Sequence, residues 1–584
     1  MTAEQTKIAE ESHVKAPWLN VYGVVPPHLD YPDCTMYEAV ERCAGTYPNH
    51  TAYVFMGRKT TYRAMAAEID LCARALKATG VRPGDRITMA MPNCPQAVIM
   101  FYAINLVGAT ANMIHPLSSE KEIEFYLKES GSIFAVTLDQ FYHKFEAIRQ
   151  NVTLDNIILA SIPDALSKPV RVGYMLTEGR KQAKIPKDAP VLRWNEFLRR
   201  GRGYHWTYRV ERRAGDEAVI LYSGGTTGVT KGIQLTNLNF NALGKQIIAT
   251  NPMFRPGDKM LAVMPMFHGF GLGVSIHSML VSGGCCILVP RFTPDSYAKL
   301  LLKYRCNLIA GVPTLYEALL RLPKMKNADL SCLKGVYSGG DSLSVELKKR
   351  FDQFLFDHHA TIQVREGYGL TECVTASCLT PYHISREGSI GIPFPDTYYK
   401  IVEHGTQKEV PYGTEGEICL SGPTVMMGYL HHPEETAQTL QTHEDGLTWV
   451  HTGDLGYMDP DGFVYFRQRL KRMIVTSGYN VYPSQMENIL DAHELVQMSC
   501  VIGVPDPLKM QKVKAFVMLK PGVPANEETK AVLMAYIRKN VAKYALPYDI
   551  EFRAELPKTL VGKVAYRVLE EEELKKLSET AQEQ

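Results

Sequence analysis

Arg86-Ile-Thr-Met-Ala-Met91 reads as a short buried strand, and Asn93-Cys-Pro just beyond it is a natural helix entry. Working outward, residues 62–78 carry helical spacing before it. After it, residues 109–116 read as a strand, 120–130 as a helix and 133–137 as a strand. Such β-α-β alternation predicts an α/β chain with a mostly parallel sheet covered by helices. The uncharged run 97–114 sits at the lower length limit for a membrane span. Asn105, Gly108, Thr110 and Asn112 interrupt it, so the expectation is a buried helix running into a buried strand.

The same texture continues downstream. Residues 259–263, 286–289, 307–312 and 335–338 read as strands and 272–280 as a helix, with Gly, Pro or Ser at the loops. In open α/β sheets, ligands bind beyond the carboxyl ends of the strands. From about residue 400, turn signals become dense: Pro411-Tyr-Gly, Asp445-Gly and Asp459-Pro-Asp-Gly462. A small β-rich unit is expected at about 400–468. A basic connector, Arg467-Gln-Arg-Leu-Lys-Arg472, comes after it. Residues beyond carry their own α/β pattern, with strands at 500–504 and 513–519 and a helix at 530–541. The expected division is a large N-terminal domain, 1–471, of layered mostly parallel sheets and a smaller α+β domain, 472–584. The Glu570–Glu573 run, with Lys575 and Lys576, is expected to be a solvated helix end.

At 584 residues the chain is too long for one compact core. Lys and Arg number 64 against 62 Asp and Glu, a net charge of +2, which leaves no electrostatic footprint for nucleic acid. Hydrophobic residues are 45% and charged residues 22%, the balance of a soluble globular protein. Twelve cysteines contain no C-x-x-C pair, and Cys285-Cys286 lies in an apolar run, so they read as core thiols. No signal peptide is recognisable at the start of the sequence, and the cytoplasm is the expected compartment.

Five stretches carry chemistry. Leu221-Tyr-Ser-Gly-Gly-Thr-Thr-Gly-Val-Thr-Lys-Gly232 is a strand running into a loop of glycines and hydroxyls that ends on a lysine. Backbone N–H groups freed by glycine can converge on an anion, so this is a phosphate cradle, with a bare surface linker as the alternative. It is not a Walker loop, because Thr230 rather than Gly precedes Lys231. Glu366-Gly-Tyr-Gly-Leu-Thr-Glu372 offers a flat ring, a hydroxyl and a hard oxygen ligand suited to Mg²⁺. Asp454, in Thr452-Gly-Asp, can accept two hydrogen bonds from a ribose diol, although Asp is more often a turn cap. Arg469-Leu-Lys-Arg-Met-Ile leads to Ser477-Gly-Tyr-Asn480. Finally, Lys563 in Pro557-Lys-Thr-Leu-Val-Gly-Lys563 sits just past a glycine turn, from which a moving element can deliver it.

In this order the five stretches resemble the adenylate-forming superfamily of acyl-CoA synthetases, carrier-protein adenylation domains and luciferases. The resemblance implies a role for each matching residue. Ser223, Gly224, Gly225, Thr226, Thr227, Gly228 and Lys231 would hold the ATP β- and γ-phosphates. Ser338-Gly339-Gly340-Asp341-Ser342 would contact adenine. Gly367, Tyr368 and Gly369 would carry the stacking ring, Thr371 would bind the α-phosphate and Glu372 would ligate Mg²⁺. Asp454 and Arg469 would hold the ribose, and Lys563 would catalyse adenylation. His268, in Pro265-Met-Phe-His-Gly-Phe-Gly271, would gate the acyl group. After rotation of the C-terminal domain near Arg472, Ser477, Gly478 and Tyr479 would line the pantetheine tunnel. Departures from the family pattern are Thr230, Asp341, Gln468 and Arg472.

The activity expected is ATP-dependent activation of a carboxylic acid to an acyl-adenylate, then transfer to CoA, with ATP, Mg²⁺ and CoA as cosubstrates and cofactor. The pocket candidates Phe267, His268, Phe270, Gly271, Gly339 and Gly340, apolar or small, favour a medium or long fatty acid. The alternatives are an aryl acid–CoA ligase, an enzyme loading a carrier protein in trans, a catalytically silent nucleotide-binding protein and a luciferase-like oxygenase. The partners are small molecules, not nucleic acid. No transmembrane segment is expected, and peripheral contact with a membrane and the oligomeric state stay open.

Overall fold

In a computed structural model that describes residues 14–177, 185–186, 188–222, 230–476, 479–506, 509–559 and 562–582, the opening segment forms the strand Arg86–Ala90. It lies parallel between Thr110–Met113 and Phe134–Leu138. The sheet continues in parallel through Asn156–Ala160 to Leu192–Arg193. On its other side Glu217–Tyr222 is parallel to Thr110–Met113, and Gly232–Thr236 returns antiparallel beside it. Among the described residues this sheet has eight strands. The run 97–114 forms the helix Pro95–Leu106 and then the strand Thr110–Met113, both buried throughout. A helix apolar on every side belongs inside a core. The Asn105 amide within it is satisfied: it donates to Asn237 Oδ1 (2.7 Å) and accepts the Tyr37 N–H (2.9 Å).

A second large sheet runs, in spatial order, through Val364–Tyr368, Gly335–Ser338, Leu308–Gly311, Lys259–Ala262, Cys285–Leu288 and Thr51–Phe55, all parallel. Short antiparallel strands close both edges. The α/β class and the parallel layers are therefore as expected. Between Tyr398–Val402 and Val464–Arg469 the chain forms a five-stranded antiparallel sheet. Beyond it, Val496–Asp506 and Met510–Leu519 form a long antiparallel pair, with Asp549–Phe552 parallel to the second. These last strands have a core of their own, built on Leu490, Val501, Val517, Leu533 and Ile537.

Two local expectations change. The helix expected at 272–280 is a π-helix over Phe270–His277 followed by a short α turn, Ser278–Leu280. Its glycines meet backbone closely: a Cβ on Gly269 would lie 1.7 Å from the Val374 carbonyl oxygen, and one on Gly271 would lie 2.1 Å from that of Pro265. The acidic run at 570–573 lies inside the helix Tyr566–Gln582 rather than at a solvated end. Glu573 is buried and pairs with Lys514 (2.7 Å) and Lys576 (2.7 Å), because the buried Lys514 ammonium needs a counter-charge.

Candidate active site

The site residues cluster where both large sheets present their strand ends. Tyr368 closes the strand Val364–Tyr368, and its hydroxyl donates to Asp454 Oδ2 (2.6 Å). Asp454 is buried on the strand Thr448–Met458, and Arg469 Nε stands 3.0 Å from its Oδ1. Burial raises the Asp454 pKa, and Arg469 and Tyr368 oppose that rise. Among the described residues, Oδ1 meets that guanidinium but accepts no well-aligned hydrogen bond, so it can still take one from a ligand hydroxyl. Phe466 flanks the Tyr368 ring at 6.1 Å between centroids.

Thr371 and Glu372 sit in the short turn Thr371–Cys373. The next residue, Val374, has φ of +66°, a left-handed conformation that costs energy for a β-branched side chain. Close packing of the Val374 carbonyl against Gly269, next to His268, holds that conformation in place. Glu372 accepts a hydrogen bond from the Tyr429 hydroxyl (2.8 Å). Lys231 lies over the Tyr429 ring, 5.2 Å from its centre, and pairs with Glu435 (3.2 Å). Lys471 lies close enough to Lys231, Arg567 and Arg469 that, after burial, their charges are the main causes lowering its pKa. Lys231, Lys471, Arg469 and Arg567 gather with Glu372, Glu435 and Asp454, so cations outnumber carboxylates and the cluster can cradle a polyanion.

Lys563 lies just past a turn in which Gly562 (φ +86°) donates to the Thr559 carbonyl (2.9 Å). The turn docks on the helix Pro313–Leu320, which follows the strand Leu308–Gly311, through Thr314 Oγ1, which donates to the Gly562 carbonyl (2.8 Å). Lys563 Cε comes within 3.2 Å of the Cβ position of Gly340, itself at φ +84°. A side chain there would be strained by that φ and would crowd the lysine. Burial lowers the Lys563 pKa, Asp341 opposes this and Arg469 adds to it. Asp341 Oδ2 also accepts the Val564 N–H at 3.4 Å. His268 faces the lysine: burial and the Lys563 charge lower its pKa to about 3, so the ring is neutral. His115 packs its ring on Phe267 at 4.3 Å, and burial, chiefly, lowers its pKa to about 4.

The structure thus brings Lys231, His268, Gly339, Gly340, Asp341, Gly367, Tyr368, Gly369, Thr371, Glu372, Asp454, Arg469 and Lys563 to one region. The glycines at 271, 339 and 340 do not open onto free space. They are filled by backbone, by Phe270 and by Lys563, so they carry no argument for a long tail. Tyr479 stands apart, half exposed and stacked on Tyr544 at 4.4 Å. Ser223, Gly224, Gly225, Thr226, Thr227, Gly228, Ser477 and Gly478 lie outside the described residues. Sequence reasoning did not single out Tyr429, Glu435, Lys471 or Glu417. Glu417 accepts the Gly453 N–H (2.9 Å) and so braces the turn before Asp454. Gly428-Tyr429 has no signal of its own, because only strand pairing to Gly232–Thr236 brings it to Glu372.

A family model described as AMP-binding enzyme matches residues 40–430, and one described as AMP-binding enzyme C-terminal domain matches residues 485–563. The chain belongs to the AMP-binding enzyme family. Long-chain-fatty-acid–CoA ligase from Bacillus subtilis is 36% identical over 95% of this chain and 98% of its own length. The ligase of the same name from Salmonella typhimurium is 33% identical over 96% and 98%. Among solved structures, the anthranilate CoA ligase AuaEII in complex with anthranoyl-AMP superposes with a TM-score of 0.79, at 26% identity, over 93% of this chain and 97% of its own. As a member of the family, the chain has its nucleotide-site candidates at positions fixed by both sheets.

Proposed function

We propose that this chain activates a long-chain fatty acid as its acyl-adenylate and passes the acyl group to CoA, releasing AMP and pyrophosphate. The observation that carries the reading is Lys563, seated against Gly340 beside His268, on the same site as Tyr368, Asp454 and Arg469. In the first step the acid's carboxylate oxygen attacks the α-phosphorus of ATP, and the bond to pyrophosphate breaks. Both reactants are anions. Lys231, Lys471 and Arg567 offset the triphosphate charge, and Lys563 meets the charge that builds between carboxylate and phosphate. Tyr368 stacks the adenine, and Asp454 accepts the ribose hydroxyls. In the second step the CoA sulfur attacks the acyl carbon, AMP leaves and the thiol proton goes to solvent.

Glu372 suits Mg²⁺: it is a hard carboxylate beside the cationic cradle, oriented by the hydrogen bond it accepts from Tyr429. When bound there, the ion would supply further neutralisation of phosphate charge. The division at 471/472 belongs to the same proposal, with rotation there exchanging Lys563 for the Ser477–Tyr479 loop. A cytoplasmic home is supported by twelve free thiols, eleven of them buried. An aryl acid is the second reading, favoured by the likeness to the anthranilate ligase. A panel of acids assayed for CoA-dependent AMP release tests the proposal. Palmitate or oleate should lead. Turnover restricted to benzoates would favour the second reading, and no turnover with any acid would reject both.

A further inference from the structure

The helix Lys168–Leu176 has no buried residue, and its N-cap, Ser167, makes no side-chain cap bond. A nine-residue helix of this kind has little stability of its own in water. Its inner face is anchored by the half-buried Tyr174, which packs on the main core. On its outer face Val172, Met175 and Leu176, spaced i, i+3 and i+4, form an apolar stripe that is 60%, 51% and 57% exposed. Lys168 and Arg171 flank that stripe, and the helix contains no acid. Arg171 reaches Asp164 only at 4.0 Å and stays half exposed. The sequence from 168 to 187 holds six Lys or Arg against one Glu, in a chain whose net charge is only +2.

Position adds a second argument. The helix comes after the carboxyl end of the strand Asn156–Ala160 and the buried turn Ile162–Ala165. The loop holding His115 leaves the carboxyl end of Thr110–Met113, in the same parallel sheet and at the same edge. Two strands separate these exits, which puts them roughly 14 Å apart. That loop carries Leu117, 55% exposed, and Lys144 donates to its carbonyl (2.8 Å). His115 packs on Phe267 beside the His268 gate. One edge of the molecule therefore combines outward apolar side chains, cations and the approach to the acyl site.

We infer that this edge docks on an anionic lipid bilayer, with Val172, Met175 and Leu176 in the acyl region and Lys168 and Arg171 at the phosphates. An apolar stripe bordered by cations matches an interface that is apolar below and negative above. A fatty acid dissolved in the bilayer then reaches the gate without crossing water, a consequence that rests on the acid class proposed above. The docking itself does not rest on it.

The test is flotation of the full chain with phosphatidylcholine vesicles, with and without phosphatidylglycerol. Wild type should float with the anionic vesicles and be released by salt. Val172→Ser/Met175→Ser/Leu176→Ser and, separately, Lys168→Glu/Arg171→Glu should each weaken vesicle binding about tenfold or more. Pyrophosphate exchange with water-dissolved octanoate should stay at the wild-type level in both. Wild type that stays in the aqueous phase, or a triple variant that floats like wild type, overturns the inference. So does a triple variant that changes only oligomeric mass, which assigns the stripe to a second copy. Wild type that floats yet shows no exchange with any acid would instead count against the enzymatic reading.

Discussion

At the scale of single residues, the site holds its charge in a desolvated place. Burial lowers the pKa of Lys563 from the ordinary 10.5, so its ammonium form is lost earlier as pH rises. Pyrophosphate exchange should therefore fall on the alkaline side below the range of a free lysine, and Lys563→Arg should remove that limb while slowing the reaction. Asp454→Ala removes the buried acceptor and should raise KM for ATP about tenfold or more, with a smaller effect on kcat, in initial-rate kinetics. Tyr429→Phe removes the hydroxyl bond to Glu372 and should raise the Mg²⁺ concentration for half-maximal activity. His277 is fully buried between Tyr102 and Asn241, and burial lowers its pKa to about 3. The folded pKa lies below the unfolded one, so below about pH 6.5 the unfolded chain binds a proton that the folded chain does not. From this group, stability should fall as pH drops below about 6.5 and level off once the folded ring also protonates, near 3. A melting series against pH should show a shallower acid slope in His277→Gln.

At the scale of elements, what could be read in the sequence tracked period and punctuation. Residues 62–78 and 120–130 were legible as helices because each keeps an apolar stripe at helical spacing, and both form with those bounds, capped by Thr61 and Ser119. The π-helix Phe270–His277 was not legible. It arises because Gly269, Gly271 and Gly273 let the chain press on Val374, Pro265 and Leu243, contacts that no local pattern encodes. Gly269→Ala would drive a Cβ to 1.7 Å from the Val374 oxygen. Thermal melting and exchange assays should show a loss of stability of about 3 kcal/mol or more together with lost activity, because that contact seats the Thr371–Glu372 turn. The motif residues were legible by type, while their partners Tyr429, Glu435 and Lys471 were not, since only the assembled sheets bring them near.

At the scale of the whole molecule, the structure holds Lys563 in the site, and Arg472 is tied to the C-terminal strands and helices. Its guanidinium pairs with Glu487, approaches the Val501 carbonyl (3.4 Å) and lies over the Tyr566 ring (4.8 Å). Arg472→Pro should stiffen the connector, sparing pyrophosphate exchange while blocking CoA transfer. The most direct test of the central claim compares both half-reactions in Lys563→Ala. ATP–pyrophosphate exchange should fall by about a hundredfold or more, on the scale of a lost transition-state donor. CoA transfer from a supplied acyl-adenylate should stay within about tenfold of wild type. Exchange at the wild-type rate in Lys563→Ala would contradict that claim.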